Sequence, residues 1–136
     1  MRDWIVPAMG TFFFWGLWGF LPKLTTRYLS PLSAVVYEAL IAVPIALVVL
    51  SILKFKPDTH PQGILLAGVT GLLGFLGALG YLYAVQKGQV SLVSAFTALN
   101  PALTILLATL LLGERLEIRQ WFGVGLALIA MLLVAA

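Results

Sequence analysis

The chain has 136 residues, 62% of them hydrophobic and only 10% charged, with a mean hydropathy of +1.08. Water-soluble domains carry about 25% charged residues, so this composition excludes water as the main solvent. The net charge of +3 comes from cations scattered between apolar stretches rather than gathered on one face, which argues against a nucleic-acid surface and for membrane topology.

Five apolar stretches, residues 4–22, 32–53, 62–86, 91–112 and 119–136, follow one another through short charged turns. Each approaches the roughly 20 residues that a helix needs to cross a hydrocarbon core of about 30 Å. Runs such as 41–50 lack the alternating polarity of a transmembrane strand. The predicted fold is therefore all-α, with five transmembrane helices filling a single membrane domain over 1–136 and leaving no room for a soluble domain or long linker.

The first stretch opens on Met1-Arg2-Asp3 and resembles a signal peptide in outline. It ends at Leu21-Pro22-Lys23 without a small-residue cleavage site, and is read as the first helix. Trp15 lies about eight residues, or about 12 Å, from Lys23, deep enough to line a cavity in which an indole binds apolar or cationic solutes. Trp18, one turn nearer the surface, is a second candidate. Trp4, Trp121 and Tyr28 fall at span ends and read as interfacial anchors.

In the second stretch, after Ser30-Pro31, Glu38 is the only acidic residue well inside a span, roughly six residues or about 9 Å from its start. An ionisable group at that depth is costly and is a functional candidate by default. A proton and a cationic substrate would compete for one carboxylate there, giving antiport, and two copies in a dimer would titrate as a coupled pair. The structural alternative is that Glu38 faces an aqueous vestibule or bonds to a neighbouring helix. His60, in the turn that follows, has no second ligand at metal-binding spacing, so no metal site is predicted.

Along the third stretch Gly68, Gly71, Gly74, Gly77 and Gly80 recur every three residues and drift around the helix by about 60° per step. Small residues let helices in lipid approach closely, so these glycines read as packing positions on more than one side of the helix. A helix with so little side-chain interlock also has the means to slide or bend as access alternates.

Within the fourth stretch Pro101 follows Asn100, removing a helical hydrogen bond and freeing a carbonyl near position 97. A kink is expected, with Thr97, Asn100 and Pro101 as candidates for substrate contact beside the plainer role of shaping the helix. Beyond it, Glu114 falls outside the hydrocarbon after a glycine stop, and Glu117 complements the positive end of the fifth helix.

Cysteine is absent, which removes disulfides, thiolate metal sites and cysteine nucleophiles. No nucleotide-binding glycine loop is present, no cofactor is implied, and the spans offer no nucleophile and base pair, so an enzyme is not expected. Energy for any transport would come from an ion or substrate gradient.

The segment from Ser91 through Ser94 and Pro101 to Leu112-Gly113-Glu114, continued by Leu116, Gln120 and Gly123, resembles the EamA-type repeat of the drug/metabolite transporter superfamily. Trp15-Gly16-Leu17-Trp18-Gly19 with Lys23 downstream is similar to the family's first helix. Two departures stand out: Ala130 where the family commonly has glycine, and Glu38 near where an arginine is common. The resemblance implies a polytopic transporter of small metabolites or drug-like solutes, usually an exporter. It also implies a cavity between inverted halves of a ten-helix molecule, of which this chain supplies one repeat.

An odd number of spans puts the two ends on opposite faces. Arg2, Lys54, Lys56, Arg115 and Arg119 then share the N-terminal side, against Lys23, Arg27 and Lys87 opposite. That bias places the N-terminus in the cytoplasm, in what would be a bacterial inner membrane. Counting the acidic residues as well leaves +1 on the first side and +3 on the other, so the two tallies point opposite ways. A chain so evenly poised can insert both ways round. Inverted repeats about a midplane site are common in secondary transporters, and the expected partner is a second copy in the opposite orientation, an antiparallel homodimer. Rivals are a parallel dimer, a different five-helix chain, and a non-transporting subunit that uses the same helices only for assembly.

Overall fold

The computed structural model of the chain describes residues 4–135. The Met1-Arg2-Asp3 start and the last residue of the fifth predicted span, Ala136, lie outside the described residues. Six helical segments occur among the described residues and no strand: α1 (Ile5–Thr25), α2 (Pro31–Ile52), α3 (Pro61–Lys87), α4 (Val90–Thr97), α5 (Asn100–Leu111) and α6 (Ile118–Ala135). Four stretches are long and apolar enough to cross a membrane: α1, α2, α3 and the combined run Val90–Leu111. The last helix is shorter, 18 residues, or about 27 Å at 1.5 Å per residue.

The helix ends follow local chemistry. Ser30 caps α2 by accepting from the Ser33 N–H at 3.2 Å, with Pro31 in the first turn where its missing N–H costs nothing. At α6 the Gln120 carboxamide oxygen accepts from the Glu117 N–H at 2.7 Å, the returning half of a capping box. Gly113 ends α5 in the left-handed region at φ +67, a conformation that favours glycine.

One boundary differs from expectation. The first helix does not stop at Pro22 but runs through it to Thr25. A proline inside a helix forfeits the bond to the carbonyl four residues back, here that of Trp18, and crowds that carbonyl with its ring, yet the helix continues. The next turn holds regardless, with the Thr26 N–H donating to the Pro22 carbonyl at 2.9 Å.

The helices form two compact units that divide between Lys87 and Gly88. In the first, α3 packs against both α1 and α2. Its core is confined to one end, where Pro22, Pro31, Ala34, Ala78, Tyr81, Leu82 and Val85 are buried, Leu82 and Val85 completely. Toward the other end the side chains of all three helices are exposed, Phe12 to 82%. Apolar surface of that extent is stable facing lipid or another helix, not water. In the second unit α4 packs against α6.

Two polar contacts pin the closed end of the first unit. The Lys23 ammonium donates to the Val85 carbonyl at 2.6 Å, in the last turn of α3, where unpaired carbonyls gather the negative end of the helix dipole. The Tyr81 hydroxyl donates to the Gly19 carbonyl of α1, also at 2.6 Å.

Candidate functional site

Beside that pinned end, Trp18, Glu38, Gly71, Gly74, Phe75 and Ala78 of α1, α2 and α3 border a shallow, largely open recess of about 230 Å³. The lining residues of α3 fall at i, i+3, i+4 and i+7, so they share one face of the helix. Tyr81, Leu82 and Val85 extend the same stripe into the core. One helical face therefore supplies both the packing that joins the three helices and, where its side chains shrink to glycine, the open space between them.

Glu38 stands roughly seven residues, or about 10 Å, along α2 from Pro31. Its side chain is half-buried, and its carboxylate makes no hydrogen bond or ion pair with any described residue. In the same lining, the Trp18 indole lies against the ring of Tyr81, with centroids 5.3 Å apart and planes inclined at 32°. The Tyr81 bond to Gly19 fixes that ring, so the indole is held by a contact outside the recess. Gly71 and Gly74 add no side chain to the lining, and a Cβ built on either meets nothing within 4 Å.

The structure thus brings together four of the residues singled out from sequence, Trp18, Glu38, Gly71 and Gly74. Trp15 is not part of this group. It is 72% exposed and does not line the recess. Gly68, Gly77 and Gly80 lie outside the lining as well, and none of the three has a neighbour within 4 Å of an added Cβ. Phe75, Ala78 and the supporting Tyr81 were not anticipated, although the 71, 74, 75, 78, 81 spacing of small and aromatic residues marks their common face.

The second unit carries the remaining candidates. The fourth apolar stretch is broken rather than only bent: α4 ends at Thr97, and Ala98 and Leu99 form a turn before α5 begins at Asn100. Pro101 explains the break, because it has no N–H for the Thr97 carbonyl. The Thr97 hydroxyl is occupied locally, shared between the carbonyls of Val93 at 3.0 Å and Ser94 at 3.1 Å. The Asn100 carboxamide makes no hydrogen bond with a described residue, and its backbone carbonyl accepts from Thr104 at 3.3 Å. Pro101 lines a groove of about 400 Å³ with Ala98, Ala102, Ile105, Gly123 and Ala127, apolar except where Gln120 borders it.

An uncharacterized transporter of Pseudomonas aeruginosa is 28% identical over 132 residues, covering 93% of this chain and 44% of the relative. An uncharacterized protein of Methanocaldococcus jannaschii is 27% identical over 124 residues, 90% of this chain and 88% of the relative. The protein RarD of Streptomyces exfoliatus is 31% identical over 129 residues, 89% of this chain and 41% of the relative. The chain thus spans less than half the length of the Pseudomonas and Streptomyces relatives but most of the archaeal one. No solved structure matches it significantly. Residues 3–136 match the EamA-like transporter family, and with its long apolar helices the chain is a multi-pass integral membrane protein belonging to that family.

Proposed function

We propose that the protein is a secondary transporter that exports small metabolites or drug-like solutes, or exchanges them for protons, through a cavity completed by a second repeat. The single observation that carries this reading is Glu38, an unpaired carboxylate within an apolar helix that borders the recess between α1, α2 and α3. Such a group is kept at a cost, and a coupling site is the use that repays it. The family match and the transporter relative support the same reading.

In this scheme α6 crosses the membrane as a fifth span, and the 1–136 region acts as one domain, equivalent to half of a ten-helix inverted-repeat transporter. Its N-terminus lies in the cytoplasm of a bacterial cell. The second repeat is another copy of this chain, antiparallel to the first, as nearly balanced loop charges permit. The open end of the first unit, apolar and exposed on all three helices, is the surface such a copy would cover. Trp18 and Glu38 then line the transport path, with the broken fourth helix and its Thr97, Asn100 and Pro101 turn as further contacts. Trp15 belongs to the part of that path completed by the partner, and the outward glycines of α3 to the contact with it.

Flux in liposomes holding only the purified chain tests the scheme. Solute movement driven by a pH gradient is expected, together with its loss in Glu38→Gln. Wild-type rates in that variant would remove Glu38 from the coupling step, and no movement by any preparation would favour the assembly subunit. The absence of cysteine allows single cysteines near each end to be labelled from either face. Labelling of each position from both faces is the antiparallel result, and labelling from one face alone eliminates it.

A further inference from the structure

We infer that the turn joining α2 to α3 binds the anionic headgroup of a phospholipid, with Lys54 and Lys56 holding its phosphate and Phe55 entering the apolar layer beneath. Helix α2 covers 22 residues from Pro31, about 33 Å at 1.5 Å per residue, against a hydrocarbon core of about 30 Å. The lysines that follow Leu53 therefore fall at the depth of the headgroups. Neither forms an ion pair or a hydrogen bond with a described residue, although Asp58 stands only a few positions further along the chain. Lys23 behaves differently, since its ammonium is bound to a carbonyl in the last turn of α3. At the corresponding end of α2 the carbonyls are taken by backbone donors, which leaves both ammonium groups to face the membrane surface.

The backbone of this turn is strained in a way that its side chains do not relieve. The Phe55 N–H donates to the Leu50 carbonyl at 2.9 Å and the Lys54 N–H to that of Ser51 at 2.9 Å, the paired bonds of a Schellman helix end. The Lys56 N–H then donates to the Leu53 carbonyl at 3.0 Å, closing a tight turn whose centre residues, Lys54 and Phe55, both have positive φ, 52° and 57°. Glycine and asparagine suit such positions, whereas side chains of this size are penalised there. No other non-glycine residue among the described residues has a positive φ. A turn that served only to reverse the chain would be more stable with glycine. This one instead sets a cation, an aromatic ring and a second cation side by side in sequence. Phe55 is 69% exposed and Ile52 72%, so apolar surface stands open next to the two charges. A soluble anion would satisfy the lysines and leave that surface bare, whereas a phospholipid covers both, with the lysine stems lying along its apolar part and their charges at the phosphate.

The test uses the full chain in neutral detergent micelles, with dioleoylphosphatidylglycerol and dioleoylphosphatidylcholine supplied in equal amounts and bound lipid counted by native mass spectrometry. One lysine near an anionic lipid surface contributes about fivefold in affinity. The double change Lys54→Gln, Lys56→Gln is therefore expected to cut the preference for phosphatidylglycerol by about tenfold or more. Arg27→Gln with Lys87→Gln removes the same charge elsewhere and is expected to leave most of that preference in place. Phe55→Gly relieves the positive φ, so the chain should be no less stable without added lipid. Both lipids should nevertheless bind about threefold more weakly to it, because the ring no longer enters the apolar layer. Inorganic phosphate at millimolar concentration is expected not to displace the phosphatidylglycerol. An undiminished preference in the Lys54→Gln, Lys56→Gln variant overturns the site, and an equal fall in the Arg27→Gln, Lys87→Gln variant reduces it to net charge. Wild-type affinity of Phe55→Gly for both lipids, or displacement by phosphate, overturns the assignment to a lipid in favour of a soluble anion. None of these readouts requires that the chain move a solute.

Discussion

Tyr81 and Trp18 lie in contact across the α1–α3 interface, ring centroids 5.3 Å apart, and Tyr81 is anchored in turn by its 2.6 Å bond to the Gly19 carbonyl. Gly19 directly follows Trp18, so the phenol grips the same turn of α1 by its ring and by its hydroxyl. The recess wall is thereby built as a consequence of core packing, since Tyr81 is also one of the few buried residues.

Tyr81→Phe separates the two grips. The ring contact persists while the bond to Gly19 is lost, and the expected cost is about 0.6–1.5 kcal/mol, the range found for single hydrogen bonds in membrane and soluble proteins. Tyr81→Ala removes both and opens the core, for a loss of about 3–5 kcal/mol. Denaturant titration in mixed micelles, followed by helical circular dichroism, orders the three proteins. Equal stability of Tyr81→Phe and wild type would mean that the Gly19 bond contributes nothing.

Lys23 supports the same end differently. Its ammonium reaches the Val85 carbonyl at 2.6 Å in the last turn of α3, and charge-assisted bonds of this kind contribute about 1.5–3 kcal/mol. Lys23→Met, which retains the apolar stem, is expected to lower unfolding stability by that amount. Lys54→Met, at an exposed turn residue, should stay within about 0.5 kcal/mol of wild type. Equal effects of the two changes would reduce Lys23 to a topology signal.

How much of this was legible beforehand divides by physical range. Span positions follow from the length of apolar runs, a local property, and helix limits shifted by few residues. The exception, α1 continuing past Pro22, shows that a helix can run through a proline despite the lost hydrogen bond and the ring's crowding, here with Pro22 buried in the packed end. Glu38 and Trp18 stood out because their side chains are costly or conspicuous at depth. Their meeting could not be read, because it depends on which faces of α1 and α2 turn toward α3. Phe75 escaped notice among many apolar residues, and Trp15 drew attention for its depth although its direction around the helix is set only by packing. The period-three glycines led to the expectation of close helix packing; that Gly71 and Gly74 instead border the recess depends on how α3 is turned toward its neighbours.

Those glycines lend themselves to a comparison within and between chains. Gly68→Ala and Gly77→Ala place a methyl where nothing lies within 4 Å, and alanine is favoured over glycine in a helix by about 0.8–1 kcal/mol. Each variant is expected to be as stable as wild type or slightly more so when monomeric. If α3 meets another copy through this surface, the same methyl holds the helices apart, and crosslinked dimer yield should fall while monomer stability does not. Unchanged dimer yield in both variants would take the outward glycines out of the contact.

Pro101 offers the last prediction. The break at Ala98 and Leu99 exists because residue 101 cannot donate to the Thr97 carbonyl, while the flanking α4 and α5 are otherwise ordinary apolar helices. Pro101→Ala restores that donor at a position where alanine is the best helix former. The expected result is a continuous helix from Val90 to Leu111, seen as slower amide exchange over residues 97–102. The Thr97 carbonyl, without a helical donor in the wild type, would then be bonded. If the fourth helix acts only as a wall, transport is expected to survive this straightening. If its break takes part in binding, the substrate KM should rise while the protein gains stability. Amide exchange that stays fast over 97–102 in the variant would show that the break is set by the surroundings rather than by the proline.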